Sequence, residues 1–199
     1  MNAALGLLPK LGVFVQEGFL EPELCASLRR EIADTPGDPT TVNAADAPEE
    51  QRKRRLKTVM LSDRDALDIK GRLVELRPAL EEHFGLDLSA VRTPHALSYR
   101  QGDFLQAHYD RSETAQETWV RERKVSVVMF VNGASEDARP GTFSGGDLVF
   151  YGLLGGDDAA FGLPVPAKEG LLVAFASDVL HEVKRVTGGE RHSVVAWYV

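Results

Sequence analysis

The spacing of apolar positions along this chain changes near residue 93. Before that point it is helical. Leu24, Cys25, Leu28 and Ile32 form one stripe after Glu21-Pro22, where proline suits the first turn of a helix. Leu73, Leu76, Leu80 and Phe84 form a second stripe with charges on the other faces, and Pro78 within it predicts a kink or break. Residues 35–57, between the stripes, are polar and read as loop. After residue 93 come short apolar runs divided by glycine-rich and polar turns, predicting strands over 96–100, 125–131, 148–151, 171–176, 182–186 and 192–199. That spacing points to a mainly β sandwich or barrel braced outside by two α-helices. No linker or repeat divides the chain, so 1–199 reads as one domain, with 1–92 mostly helical support plus a first strand and 93–199 the β core.

Composition adds exclusions. With 43% hydrophobic and 27% charged residues, 199 residues suffice for a substantial core. A net charge of −7 argues against general nucleic-acid binding. The one dense basic run, Arg52-Lys53-Arg54-Arg55, follows Asp46, Glu49 and Glu50; it reads either as a solvated loop or as a docking patch for an acidic partner. A single cysteine, Cys25, allows no intramolecular disulfide and no Cys-rich zinc motif, and fits a reducing compartment. The apolar stretch from Ala3 to Val15 is interrupted by Pro9 and Lys10 and lacks a preceding basic cluster, unlike a signal peptide. No run approaches the ~20 apolar residues of a membrane span. The expectation is a cytoplasmic protein with neither nucleic acid nor membrane as partner.

The chemistry concentrates in two segments. In an extended segment, His108 and Asp110 lie two apart and face one side. An imidazole with a carboxylate suits a borderline divalent metal, and two His with one carboxylate form the facial triad of non-haem iron oxygenases. A second histidine, His181, opens a strand that Val183 and Val186 continue. Thr187-Gly188-Gly189 reads as a turn, and a hairpin there would return Arg191 to the neighbourhood of His181. Alternation puts Arg191, Ser193, Val195 and Trp197 on one face of the last strand, with His192, Val194, Ala196 and Tyr198 on the other. An inward Arg191 needs an anionic partner, which a dicarboxylate supplies bidentately; an outward one would pair with Glu190 or Asp178.

His108-x-Asp110, then His181-Glu182-Val183 and Gly189-Glu190-Arg191-x-Ser193, resembles the prolyl 4-hydroxylase branch of the 2-oxoglutarate/Fe(II) dioxygenases. Arg123-x-x-Ser126-x-x-x-Phe130-Val131-Asn132 and Gly145-Gly146-Asp147-Leu148 belong to the same ordered set, and the likeness runs from about Leu11 to the C-terminus. The resemblance implies a double-stranded β-helix (jelly roll) core and His108, Asp110 and His181 as catalytic iron ligands. It implies Arg191 on the distal carboxylate of 2-oxoglutarate, with Tyr99, Ser193 and Trp197 bordering the same pocket. Phe130 departs from the tyrosine of many relatives, so Ser193 or another group would replace that hydroxyl. Fe(II), 2-oxoglutarate, O2 and ascorbate are the implied cofactors. The implied reaction is hydroxylation of an unactivated C–H, with a prolyl or other amino-acid residue of a protein or peptide as leading substrate. A free amino acid or small molecule, or a catalytically silent peptide-binding jelly roll, are the alternatives.

Other polar residues read as structural or stay open. His83 and His95 are expected to be structural, His192 to face away from Arg191, and Asp103 to stabilise the turn before His108. Arg123 is placed either in the substrate channel or on the surface. The loop from Arg111 to Glu122, carrying Trp119, is a solvent loop or a lid. Residues 141–146 and 152–156 are expected at the rim.

Overall fold

The structure, a computed structural model, describes residues 3–36, 38–40 and 54–199. Its helices are α1 (Ala3–Leu7), α2 (Pro22–Asp34), α3 (Asp63–Phe84) and α4 (Thr118–Arg121). Its strands are β1 (Phe14–Gln16), β2 (Asp38–Thr40), β3 (Arg54–Val59), β4 (His95–Arg100), β5 (Phe104–His108), β6 (Val125–Phe130), β7 (Phe143–Gly145), β8 (Leu148–Phe150), β9 (Leu163–Val165), β10 (Leu172–Ala176), β11 (His181–Val183) and β12 (Val186–Tyr198).

Antiparallel pairing sets the order β1-β10-β6-β12-β4-β3-β5-β11-β8-β9. The first half forms one face of a sandwich and the second half the other, with β3 pairing into both: Lys57–Val59 against β4, and Arg54 and Arg55 against β5. Period-two alternation then sorts side chains between two cores. Val125, Val127, Met129, Val194, Ala196 and Tyr198 face outward, against Cys25, Leu28 and Ile32 of α2 and Ile69, Leu73 and Leu80 of α3. Tyr99, Val128, Phe130, Phe175, Val183 and Val195 face inward, between the sheets. This is the sandwich with bracing helices that the residue pattern predicts, and the jelly roll that the resemblance implies. No helix among the described residues is long and apolar enough to cross a membrane.

Three expectations need correction. First, α3 runs unbroken through Pro78. Proline removes the N–H that would reach the Val74 carbonyl, and Val74 and Pro78 both lie on the exposed face, where water can satisfy that oxygen. Ser62, accepting from Asp65 N at 3.4 Å, and Gly85 in the left-handed region (φ 63°) close the two ends.

Second, Thr187-Gly188-Gly189 is not a turn. Strand β12 continues through it, pairing with β7, and the break between β11 and β12 falls earlier, at Lys184-Arg185. The glycines permit close approach instead: a Cβ on Gly189 would lie 2.5 Å from the Thr142 carbonyl oxygen, and one on Gly188 2.8 Å from Ser144 Oγ. Within residues 141–146, Phe143–Gly145 form a strand.

Third, the stretch 35–57 is not all loop, since β2 and β3 lie in it. Lys57 hides the strand pattern: it sits on the helix-facing side with Val59, and its Nζ donates to the Ile32 carbonyl at 3.0 Å. Of the basic run, Arg52 and Lys53 fall outside the described residues, as do Asp46, Glu49 and Glu50, while Arg54 and Arg55 open β3.

Because Pro78 sits at a solvated position of a continuous helix, Pro78→Ala should stabilise the protein. The helix gains about 3 kcal/mol, offset by up to about 1 kcal/mol of freedom returned to the unfolded chain. A urea midpoint that stays put or falls would show that the proline is accommodated by a packing role.

Candidate active site

Cross-strand register builds the centre. His181 opens β11 directly opposite His108, the last residue of β5, and the two rings lie 4.3 Å apart between centroids. Asp110 follows two residues later, on the same inner side. His108 Nε2 is 3.4 Å from Asp110 Oδ1 and His181 Nε2 is 3.7 Å from Asp110 Oδ2. One ligand atom from each of the three residues lies within 4.8 Å of the others.

The backbone orients both rings. His108 Nδ1 lies 2.9 Å from the Gln106 carbonyl and His181 Nδ1 2.9 Å from the Val179 carbonyl. A carbonyl only accepts, so each Nδ1 carries its proton and each Nε2 turns a lone pair inward. Two imidazole lone pairs and a carboxylate thus converge with no donor of their own. Such an N2O set fits a divalent cation of iron's class and leaves one face of it open. Burial pulls the His108 pKa down, but the hydrogen bond and charge of Asp110 outweigh it and raise it overall. Burial lowers the His181 pKa. Burial also pushes against ionisation of Asp110, yet the His108 bond, the charges of both histidines and the Ser126 hydroxyl hold its carboxyl well below the usual range. Trp197 Nε1 donates to Asp110 Oδ2 at 3.0 Å, and Arg123 Nη1 to the Asp110 carbonyl at 2.9 Å.

Deeper in the same cleft sits Arg191, 1% exposed. Its Nη1 donates to Ser193 Oγ at 3.0 Å, which leaves the serine proton for another acceptor. Nε and Nη2 have no hydrogen-bond partner among the described residues. The guanidinium carbon lies 5.0 Å from the Tyr99 ring centroid, 5.1 Å from Phe130 and 5.9 Å from Phe143. Rings can hold a cation in place, but they do not neutralise it. Gly146 (φ 64°) makes room, since a Cβ there would lie 3.1 Å from Arg191 Cδ. A buried, caged guanidinium with two idle donors is complementary to a carboxylate.

All seven residues singled out in the sequence, His108, Asp110, His181, Arg191, Tyr99, Ser193 and Trp197, line one cleft of about 1220 Å³. Arg123 is buried and lines it too, which removes the surface alternative. Its guanidinium lies between Trp119 (4.4 Å to the centroid) and Trp197 (3.9 Å). Trp119 belongs to α4, a short helix in the segment read as loop, and it lines the cleft mouth. His95 lines the cleft, its ring 5.4 Å from Trp197, while His83 packs between Phe14 and Phe84. His192 lies on the opposite face of β12, beside Ala26 and Arg29 of α2. Asp103 accepts from Arg100 N at 2.9 Å across the turn before β5. Ser126 has no role in the motif beyond its spacing. It sits opposite Trp197 in register and next to Ser177 (2.9 Å), and the inward phase of Ser126, Val128 and Phe130 was the available signal.

Comparisons with known proteins agree with this geometry. The family model described as the 2OG-Fe(II) oxygenase superfamily matches residues 94–199, just over half of the chain. No curated protein matches. Among solved structures, a Pseudomonas putida prolyl-4-hydroxylase is similar with a TM-score of 0.70 and 25% identity, covering 98% of this chain and 96% of that one. A Trichoplax adhaerens prolyl hydroxylase, solved with a hypoxia inducible factor peptide fragment, shares the fold at TM-score 0.66 and 15% identity, covering 99% and 87%. A viral collagen prolyl hydroxylase from Paramecium Bursaria Chlorella virus-1, solved with 2OG, does so at 0.61 and 15%, covering 94% of each chain.

The idle donors of Arg191 predict anion-linked stability. At a hundredfold excess over Kd, a short dicarboxylate such as 2-oxoglutarate should add about 2.7 kcal/mol to the stability of the metal-loaded protein, and Arg191→Met should lose most of that gain. Equal gains in both, measured by thermal shift, would place the anion elsewhere.

Proposed function

Since that family model covers more than half of it, the chain belongs to the 2OG-Fe(II) oxygenase superfamily, and we propose that it hydroxylates a prolyl residue of a protein or peptide. The reading is supported chiefly by one juxtaposition: three converging acceptors, His108, Asp110 and His181, beside a buried guanidinium whose Nε and Nη2 have no partner among the described residues. The prolyl substrate is supported by the likeness to the P. putida prolyl-4-hydroxylase, which extends over nearly all of both chains. A free amino acid is the alternative substrate.

In this reading His108, Asp110 and His181 hold the iron. Bound there, iron(II) would let O2, the oxidant, hydroxylate an unactivated C–H, one oxygen atom going to the substrate and the other to succinate as 2-oxoglutarate loses CO2. The chain's own contribution is to bind, orient and shield. Arg191 and the Ser193 hydroxyl take the distal carboxylate of 2-oxoglutarate, and the Tyr99 and Phe130 rings close the pocket around it against water. Arg123, reaching into the cleft beside Asp110, meets the substrate. The α4 segment with Trp119 covers the mouth as a lid. Ascorbate would keep the metal reduced between turnovers. Residues 1–199 act as a single oxygenase domain in a reducing, cytoplasmic setting, as the lone buried Cys25 suggests.

Two measurements test this. Purified protein with iron(II), ascorbate and a proline-containing peptide panel should yield succinate and peptides heavier by one oxygen, and His108→Ala should abolish both. Full turnover in that variant would remove His108 from the metal site. Phe130→Tyr should lower the KM for 2-oxoglutarate roughly tenfold, the worth of one hydrogen bond to a charged group. An unchanged or higher KM would mean that position 130 does not face the distal carboxylate.

A further inference from the structure

The side chain with the most specific hold on the metal centre is not a member of the donor set. Trp197, the penultimate residue of β12, points its indole N–H at one carboxylate oxygen of Asp110, 3.0 Å away. The other oxygen, Oδ1, faces His108 Nε2 at 3.4 Å. A carboxylate whose two oxygens are equally available can chelate an ion, and a second oxygen would take one of the positions that a facial triad must keep open for co-substrate and O2. A charge-assisted hydrogen bond to one oxygen breaks that equivalence, because it occupies a lone pair and lowers the oxygen's basicity.

The indole is itself held in place. Its ring lies against the Arg123 guanidinium, 3.9 Å from the centroid, and the same guanidinium lies 4.4 Å from the Trp119 centroid. The same arginine donates through Nη1 to the Asp110 carbonyl. Arg123 therefore braces both ends of one short lever: the backbone of Asp110 and the ring that grips its side chain. Ser126 lies opposite Trp197 in the ladder, with its hydroxyl 2.9 Å from that of Ser177.

We propose that Trp197 is a positioning residue that confines Asp110 to one-oxygen coordination of the metal, with Arg123 stacked between Trp197 and Trp119 holding the indole in plane. The inference rests on the reading of His108, Asp110 and His181 as the ligand set. It concerns only residues of this chain, and its readouts do not need turnover.

The variant is Trp197→Phe, which keeps a ring on Arg123 and removes the N–H; Arg123→Lys, which keeps the charge and removes the planar brace, is the second. Mn(II) affinity is read from the free-ion EPR signal, and coordination from the visible bands of the Co(II) form. Trp197→Phe should weaken Mn(II) binding 10- to 100-fold, as loss of an oriented outer contact does. It should also change the Co(II) band shape as Oδ2 joins the ion. Arg123→Lys should shift both readouts in the same direction by less. Parental Mn(II) affinity and superimposable Co(II) bands in both variants would overturn the proposal while leaving the ligand set intact. A parent protein that binds neither ion would overturn the ligand set, and the proposal with it.

Discussion

Gathering two imidazole lone pairs and a carboxylate in a partly dry pocket is unfavourable until a cation shares them, and the rest of the fold answers to that constraint. The two imidazoles sit where the β5–β11 ladder places His108 opposite His181. Each ring is tied to a backbone carbonyl, so neither can rotate its lone pair away from Asp110. The carboxylate takes hydrogen bonds that stabilise its charge. Without the ion, a proton on His108 is the available substitute, which is why its pKa rises despite burial. Binding by such a set then depends on pH through the proton it displaces.

Strand β12 shows how one element serves both stability and chemistry. Its helix-facing residues Val194, Ala196 and Tyr198 pack on α2 and α3, and the Tyr198 hydroxyl donates to the Leu73 carbonyl. Its inward residues Arg191, Ser193 and Trp197 all face the cleft. Locking one face against the helices fixes the phase of the other, because a one-residue slip would turn every inward side chain outward. The helices therefore contribute to the site without touching it: they set the register that keeps Arg191 dry.

That two-faced phase was legible in the residues, and so was the pairing of His108 with Asp110, because both follow from period-two geometry. What failed was local punctuation. Thr187-Gly188-Gly189 has the composition of a turn, but its glycines answer to atoms of β7 and the loop before it, which no local window contains. Pro78 has the composition of a helix break, yet its cost is met by water on an exposed face. Lys57 disguised β3 because the sequence gives no sign that a lysine stem will lie on a helix end. The hold of Trp197 on Asp110 spans 87 residues and required three dimensions.

The remaining question is how an acidic chain attracts an anionic co-substrate. A net charge of −7 would repel a dianion at long range, but charges farther apart than about 8 Å are largely screened at physiological ionic strength. Inside the cleft the balance is local. The donor set with its dication carries a net positive charge, since only Asp110 is anionic among the three. Arg191 adds another at the pocket floor, and Arg123 a third beside Asp110. Low-dielectric walls from Tyr99, Phe130 and Phe143 amplify those charges rather than the surface ones. Phe130 meets the guanidinium with a ring alone, and with Nη1 engaged by Ser193 it is Nε and Nη2 that stay available to a carboxylate arriving from solution.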